Sequence, residues 1–262
     1  MSGSSSRIID GRLVRRQGRA LWLAEFASAP QELAAFAAAF PALAAGRRGD
    51  GHSVLVLPGL LAGDASTAPL RAIIDARGLR AVQWGLGPNV GPTAEILTAV
   101  PLRIEELHER SGQTVSLVGW SLGGILARAF ARRCPEHVRD VVTLGSPFRL
   151  RPGDRVGLTG VGEIYRALRP LHDPIGADLA REAARGGLPC PSTSIYSRSD
   201  GVVPWRACLD TADARHENVE VGASHLGLGV NPLAVSVVWD RLVQREGEWR
   251  PYAGPDRAMA GA

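Results

Sequence analysis

A serine stands between glycines in the pentapeptide Gly119–Gly123, which reads Gly-Trp-Ser-Leu-Gly. The segment before it, Thr114–Val118, is rich in β-branched residues, and apolar residues then recur at helical spacing for about ten residues. The sequence therefore predicts a strand, a sharp turn and a helix, with Ser121 on the turn. Such a turn needs small neighbours, and the helix N-terminus favours developing negative charge. Ser121 is a candidate nucleophile; a plain Gly/Ser turn is the alternative.

A serine hydroxyl is a poor nucleophile at neutral pH, so a histidine base must lie beside it in the fold. His225 fits best among six histidines, because it follows a predicted strand, precedes a predicted helix and stands in a loop of small residues. The other five open a strand, flank charged residues or lie in a long segment between strands: His52, His108, His137, His172 and His216.

The orienting carboxylate is predicted to be Asp200, which directly follows a predicted strand and precedes a glycine turn. The chain order serine, aspartate, histidine is the one that such a site uses on a parallel sheet. Asp173 and Asp178 compete from the segment between strands, and Asp210 competes from a predicted helix. Asp200 could also be a simple turn-forming residue.

A tetrahedral oxyanion needs backbone N–H donors aimed at it. One donor is predicted to be the N–H of Leu122, which follows the nucleophile. The second is predicted to be the N–H of Leu60, because Pro58 lacks an N–H and Gly59 permits a sharp turn in the same loop. Five apolar side chains could line an acyl pocket or belong to the ordinary core: Leu61, Trp84, Trp120, Phe148 and Trp205.

The 262 residues are 45% hydrophobic and 21% charged, which is typical of one large globular domain or two small ones. All 30 basic residues are arginine. A chain without lysine cannot carry a P-loop phosphate site, a Schiff-base lysine, the ATP lysine of a kinase or a serine–lysine dyad.

Composition also argues against several partners. The net charge is only +4 and the arginines are scattered, so no nucleic-acid partner is expected. Three widely spaced cysteines, without a Cys/His cluster or an HExxH motif, predict neither disulfides nor a metal site.

Short apolar runs alternate with helical segments from residue 53 onward, which predicts a mostly parallel sheet flanked by helices. The predicted strands are Val54–Leu57, Ala81–Trp84, Val115–Val118, Val141–Leu144, Thr193–Tyr196 and Val219–Val221. The predicted helices are Thr67–Arg77, Thr93–Arg110, Leu122–Arg133, Arg206–Asp213 and Pro232–Gln244, with Pro101 kinking or splitting the second. Active sites of such sheets lie beyond the carboxyl ends of the strands.

Three regions are expected along the chain: an N-terminal extension (1–50), a core (51–246) with a small cap inserted at about 148–188, and a tail (247–262). The extension is predicted to be packed and to hold an amphipathic helix that starts near Pro30 and ends by Pro41, with a membrane-surface helix as the alternative. Glu25 interrupts the apolar run Ala20–Ala24 too early for a secretory signal, so a cytoplasmic location is expected.

Several spaced motifs together resemble the lipase and carboxylesterase branch of the α/β-hydrolase superfamily. They are Leu57-Pro58-Gly59, Gly119–Gly124, Val142–Pro147, Asp200–Pro204 and Ser224-His225. The resemblance covers about residues 53–244 and implies a cofactor-free serine hydrolase. Two residues depart from that branch: Pro58 replaces the usual histidine of the oxyanion loop, and Trp120 stands where these lipases usually have histidine, which predicts an apolar surface near the nucleophile.

The function predicted from these observations is hydrolysis of a small-molecule or lipid-like acyl ester through an acyl-enzyme on Ser121. Membrane-surface contact is possible on this reading but not expected. An acyltransferase or thioesterase would use the same three side chains and differ only in the acceptor or the leaving group. A protein that keeps the fold as a binding module without turnover is the alternative from another class.

Overall fold

The computed structural model describes residues 5–150, 160–174 and 176–254 of the chain. Within them, six parallel strands form one sheet: β1 (Ser53–Leu57), β2 (Arg80–Gln83), β3 (Val115–Trp120), β4 (Val138–Leu144), β5 (Ser192–Tyr196) and β6 (His216–Glu220). Their order across the sheet is β2-β1-β3-β4-β5-β6. Every pair of neighbours is parallel. Each predicted strand overlaps one of these six.

Seven α-helices accompany the sheet in the described part of the chain: α1 (Ser5–Ala44), α2 (Asp64–Ala76), α3 (Ala94–Ser111), α4 (Leu122–Arg133), α5 (Val161–Ala167), α6 (Gly176–Ala184) and α7 (Pro232–Leu242). Apolar residues of α1, α2 and α7 pack in one buried cluster, and those of α3, α4 and α6 pack in another. Both faces of the sheet are thus covered, which explains why β1 and β4 are buried along their whole length.

Local signals explain several helix ends. The Thr93 hydroxyl accepts a hydrogen bond from the Ile96 N–H at the start of α3, and Gly112 ends that helix in the left-handed conformation at φ 66°. The Asn231 side chain caps α7 by accepting hydrogen bonds from two backbone N–H groups of its first turn. This cap sets where α7 begins after the loop that carries His225.

The N-terminal helix is longer than the sequence pattern predicts. It runs from Ser5 to Ala44 with both Pro30 and Pro41 inside it, so neither proline marks a boundary. Phe36 is buried against the helices of its cluster, whereas Leu33 of the predicted apolar stripe is 49% exposed. Packing of one face and an alanine-rich sequence outweigh the hydrogen bond that each proline removes.

Two other helix predictions need correction. Helix α3 continues through Pro101 and is not split there. The segment predicted as a helix from Arg206 to Asp213 forms only a short 3₁₀ helix, Trp205–Cys208. Asp210 therefore lies outside a helix. Its N–H donates to the side chain of Asn218, and its carboxylate binds Arg128 and accepts the N–H of Thr211.

Helices α5 and α6 and a 3₁₀ helix (Arg169–Leu171) lie between β4 and β5, in the segment expected as a cap. Residues 151–159 and 175 of that segment lie outside the described residues. Helix α6 packs on α4, with Leu179 in the same apolar cluster as Leu126 and Phe130. In the described part of the chain, no helix has the length and hydropathy needed to cross a membrane.

A buried ion pair joins α4 to its surroundings. Arg128 and Asp210 contact at 2.7 Å, and neither side chain is exposed to solvent. The Arg128 guanidinium also donates to the carbonyl of Ala183 in α6 at 2.9 Å and lies 3.9 Å from the centre of the Phe148 ring. Removing Arg128 would leave the buried Asp210 carboxylate with only the more distant Arg149, at 3.4 Å, as a charged partner, which is strongly destabilising.

We predict that Arg128→Met lowers the free energy of unfolding by about 3–5 kcal/mol, the usual cost of breaking a buried pair. Urea denaturation followed by circular dichroism measures this. Arg110→Met is the matched control, because Arg110 is 64% exposed in its ion pair with Glu106 and should cost less than about 1 kcal/mol. Equal losses in the two variants would contradict this account.

Candidate active site

Ser121 occupies a strained turn between the end of β3 and the start of α4, at φ 54° and ψ −118°. Residues with a side chain rarely adopt this backbone conformation, and it costs on the order of 1–3 kcal/mol. The neighbouring glycines leave no room for a larger residue: a Cβ on Gly123 would clash with the carbonyl of Leu57, and a Cβ on Gly119 would clash with Gly124. Close packing of β1, β3 and α4 therefore holds the turn.

His225 follows β6 and brings its ring to this turn. Its Nε2 lies 3.0 Å from the Ser121 Oγ, and its Nδ1 lies 2.6 Å from an Asp200 carboxylate oxygen. A carboxylate only accepts hydrogen bonds, so Nδ1 carries the proton and Nε2 is free to accept one from the serine. Three residues that span 104 positions of the sequence thus form one hydrogen-bonded chain.

Asp200 is fixed through both of its carboxylate oxygens. One accepts the N–H groups of Val202 and Val203, each at 2.8 Å, and the other binds His225. Gly145, at the end of β4 with φ 54°, leaves space for the pair, since a Cβ there would lie 3.1 Å from Nδ1 of the histidine. The carboxylate cannot turn away from the imidazole without losing hydrogen bonds.

The pKa of His225 is raised above its ordinary value of 6.5 by its surroundings. Burial alone would lower this pKa, but the charge of Asp200, its hydrogen bond and the charge of Glu25 together outweigh that effect. The site therefore favours the imidazolium that forms when His225 takes the serine proton.

The loop after β1, predicted to supply an oxyanion donor, passes beside Ser121. A Cβ on Gly59 would lie 3.4 Å from the Ser121 Cβ. Asn89 holds the loop by donating to the Pro58 carbonyl at 2.7 Å and by accepting the N–H of Leu61 at 2.8 Å. Among the described residues, no acceptor is found for the N–H of Leu60.

The N–H of Leu122 belongs to the first residue of α4 and has no acceptor within the helix. The roles of Leu60 and Leu122 as oxyanion donors remain predictions.

The five predicted pocket residues lie in different surroundings. Leu61 is 51% exposed on the loop beside Ser121. Trp84 is buried in the cluster of α3 and α4, and Phe148 is buried beneath Arg128. Trp205 stacks on Tyr196 with ring centres 5.7 Å apart. Leu61 is thus the most accessible of the five.

Trp120 contacts the histidine loop, which its sequence position did not predict. Its indole N–H donates to the carbonyl of His225 at 3.1 Å, and its ring lies against Gly229, with part of its surface in the apolar cluster of α7. The residue that departs from the lipase pattern therefore contacts the histidine loop and anchors it.

A second serine–histidine–carboxylate cluster lies where the strands of the sheet begin. His52 binds Ser116 at 2.8 Å and Asp50 at 2.5 Å, and the Ser116 hydroxyl donates to Asp140 at 2.9 Å. Burial raises the pKa of Asp140. Burial would also raise the pKa of Asp50, but hydrogen bonds from His52 and Arg139 outweigh it and lower that pKa to about 2. Because His52 and Ser116 are completely buried, a substrate cannot reach them.

The remaining sequence candidates have other partners. The rings of His108 and His137 lie with centres 4.6 Å apart and planes tilted by 31°, His172 binds the carbonyl of Val90, and His216 binds Asp213. The side chain of Asp178 lies outside the described residues.

Two contacts of the N-terminal helix were missed by the sequence reasoning. Glu25 and Glu32 of α1 accept hydrogen bonds from the loops that carry Asp200 and His225. The available signal was Glu25 itself, a lone acid in an apolar run, but the sequence analysis did not interpret it as a buried contact.

Comparisons with known proteins agree with this architecture. No protein-family model matches the chain. The human serine hydrolase BPHL is 25% identical over 210 residues, which are 67% of this chain and 71% of that protein. A pimeloyl-[acyl-carrier protein] methyl ester esterase of Sodalis glossinidius is 42% identical over 55 residues, or 21% of each chain.

Two solved structures share the fold. Bacillus licheniformis lipase BlEst2 matches with a TM-score of 0.56 at 13% identity, over 76% of this chain and 95% of that one. Aspergillus fumigatus lipase B matches with a TM-score of 0.54 at 19% identity, over 81% of this chain but only 57% of that one. The chain has the α/β-hydrolase fold.

We predict that Gly123→Ala destabilises the protein by at least about 2 kcal/mol, because the added methyl would overlap backbone and overpacking has costs of this size. Gly222→Ala is the control, since a Cβ at that glycine meets nothing within 4 Å. Thermal denaturation of both variants measures the difference. Tolerance of alanine at position 123 would contradict the close packing described here.

Proposed function

We propose that this protein is a serine hydrolase that cleaves carboxylic esters through an acyl-enzyme on Ser121. The observation that carries the proposal is the hydrogen-bonded chain from the Ser121 hydroxyl through His225 to Asp200, with contacts of 3.0 and 2.6 Å. These three residues lie where the strands of the sheet end, as active sites of parallel sheets do. The similar protein BPHL is named a serine hydrolase.

In the proposed reaction, the Ser121 oxygen attacks the acyl carbonyl carbon while Nε2 of His225 takes the hydroxyl proton. The tetrahedral intermediate collapses, the ester C–O bond breaks, and the leaving alkoxide receives that proton from Nε2. Water then attacks the acyl-enzyme and transfers a proton to Nε2, and the returning serine oxygen takes it back as the acid leaves. Asp200 keeps the proton on Nδ1 throughout.

The N–H groups of Leu60 and Leu122 are the proposed donors to the oxyanion. Support comes from the loop of Leu60, which passes beside Ser121, and from Leu122, which follows the nucleophile at the N-terminus of α4. Donors fixed by the backbone need no reorganisation when charge develops, which makes them effective in this role.

For the substrate we propose a small or lipid-like acyl ester. Two exposed apolar residues support this choice: Leu61 on the proposed oxyanion loop, and Leu226, which directly follows His225. Transfer to another acceptor and thioester cleavage would use the same chemistry. Assays with an added alcohol and with thioester analogues of the same acyl group separate these reactions from ester hydrolysis.

We predict that Ser121→Ala lowers kcat for p-nitrophenyl butyrate by at least about 10⁴-fold, since the remaining site retains only oxyanion and binding contributions. Labelling by a fluorophosphonate probe should be lost at the same time. Ser236→Ala, which removes a serine hydroxyl from α7, is the matched control and should keep both activities. A wild-type protein that neither labels nor turns over would favour the inert binding module.

The pH dependence provides a separate test. Only neutral His225 can accept the serine proton, and its pKa is raised. The acidic limb of kcat/KM should therefore have its midpoint above the ordinary histidine value of 6.5, with activity lost as pH falls through it. Asp200→Asn should shift the midpoint down and lower kcat, by about 10⁴-fold in comparable sites. A wild-type midpoint below the ordinary histidine value would contradict the description of the site.

A further inference from the structure

Glu25 of the N-terminal helix is buried beneath the candidate active site. Only 1% of the residue is exposed, although it lies on a helix whose neighbouring side chains Leu23 and Phe26 are more than half exposed. Burial of a carboxylate is costly unless hydrogen bonds replace its lost water. The protein therefore holds this group in place through specific partners.

The partners of Glu25 are backbone N–H groups of two loops. One carboxylate oxygen accepts from Gly201 at 2.7 Å and from His225 at 2.9 Å, and the other accepts from Leu226 at 3.0 Å. Gly201 directly follows Asp200, so a single side chain links the loop of the candidate acid to the loop of the candidate base. All three partners are donors, which favours a charged acceptor.

Both loops are shaped to accept α1. A Cβ on Gly201 would clash with the carbonyl of Leu21, and a Cβ on Gly227 would overlap the carboxylate of Glu32. Glu32, two helical turns after Glu25, accepts the N–H of Ser224 and the side-chain amide of Asn231, both at 3.0 Å, and also the Ser224 hydroxyl. The helix thus contacts the histidine loop both before and after His225 in the sequence.

We infer that Glu25 is a positioning residue for the proposed hydrolase reaction, and that α1 is part of the active site through it. Its hydrogen bonds fix the Asp200 and His225 loops relative to each other. Its charge lies beside the backbone of His225 and stabilises the imidazolium of the transition state. This inference rests on the function proposed above.

Among the described residues, two side chains form hydrogen bonds with the imidazole. Asp200 faces it from the loop after β5 and the Ser121 hydroxyl from the start of α4, while Glu32 acts one residue away through Ser224. The thiol of Cys208, in the adjoining 3₁₀ helix, has a pKa raised by burial and by Asp200, so it stays neutral near pH 7. The charge of Glu25 is among the causes that raise the pKa of His225.

The test is Glu25→Gln in the full-length protein. The glutamine keeps the shape of the side chain but removes its charge and turns an N–H₂ toward backbone donors, so the two loops lose their common acceptor. We expect kcat for p-nitrophenyl butyrate, per site titrated with a fluorophosphonate, to fall roughly tenfold or more, because small misplacements of catalytic groups have effects of this size. KM should change less than about twofold, since Glu25 does not touch substrate.

A second readout does not depend on turnover. The pKa of His225, followed by NMR of its ring and assigned with a His225→Gln variant, should be lower in Glu25→Gln than in the wild type. Glu109→Gln controls for loss of one negative charge, because Glu109 is exposed on the last turns of α3, at the edge where the strands begin. It should leave kcat and the His225 titration unchanged.

If Glu25→Gln does not fold, Gly201→Ala tests the same link, because its methyl pushes α1 from the acid loop without removing a charge. It should lower kcat per titrated site and the pKa of His225. An unchanged pKa and an unchanged kcat per titrated site, in whichever of the two variants folds, would overturn the inference. The wild-type protein could show neither labelling nor turnover while the pKa of His225 still falls in the variant. That result would refute the hydrolase function but support the link that Glu25 makes between the Asp200 and His225 loops.

Discussion

The structure around Ser121 depends on how closely three stretches of backbone approach one another. The end of β3, the first turn of α4 and the carbonyls at the end of β1 meet where Gly119, Gly123 and Gly124 leave no space for a side chain. This contact holds Ser121 in a backbone conformation that is unfavourable in isolation. The tertiary packing of the sheet therefore supplies the energy that keeps the hydroxyl at the edge of the molecule.

Tertiary contacts also determine where charged side chains can be buried. Three buried carboxylates are each satisfied by several donors: Asp200 by two N–H groups and an imidazole, Glu25 by three N–H groups, and Asp210 by two arginines. The two serine–histidine–carboxylate clusters differ in burial and in their position along the strands. At His52 the polar chain is fully buried between strand beginnings, whereas at His225 it lies beyond the strand ends, on loops that reach the surface.

Sequence reasoning predicted the parts of this molecule that local chemistry determines. Strands and helices near Ser121 were predictable because β-branched runs, glycines and helical apolar spacing all agree there, and Leu122–Arg133 is observed as predicted. It was wrong where distant partners override local preference. Proline at 30 and 41 did not end α1, and the stretch predicted as a helix from Arg206 pairs with Arg128 and Asn218 instead. No local pattern shows which strand or helix lies beside a given loop.

The N-terminal helix illustrates that limit most clearly. The sequence predicted a packed extension up to residue 50 but did not show where it packs. The hydrogen bonds of Glu25 and Glu32 end on backbone groups about 175 to 200 positions later. Backbone N–H groups are present at every residue except proline, so their partners leave no trace in residue type. The sequence does contain the residues that make room for α1. These are Gly201 and Gly227, where a Cβ would clash with that helix. A glycine next to a candidate catalytic residue can therefore record the close approach of a distant helix as well as a turn.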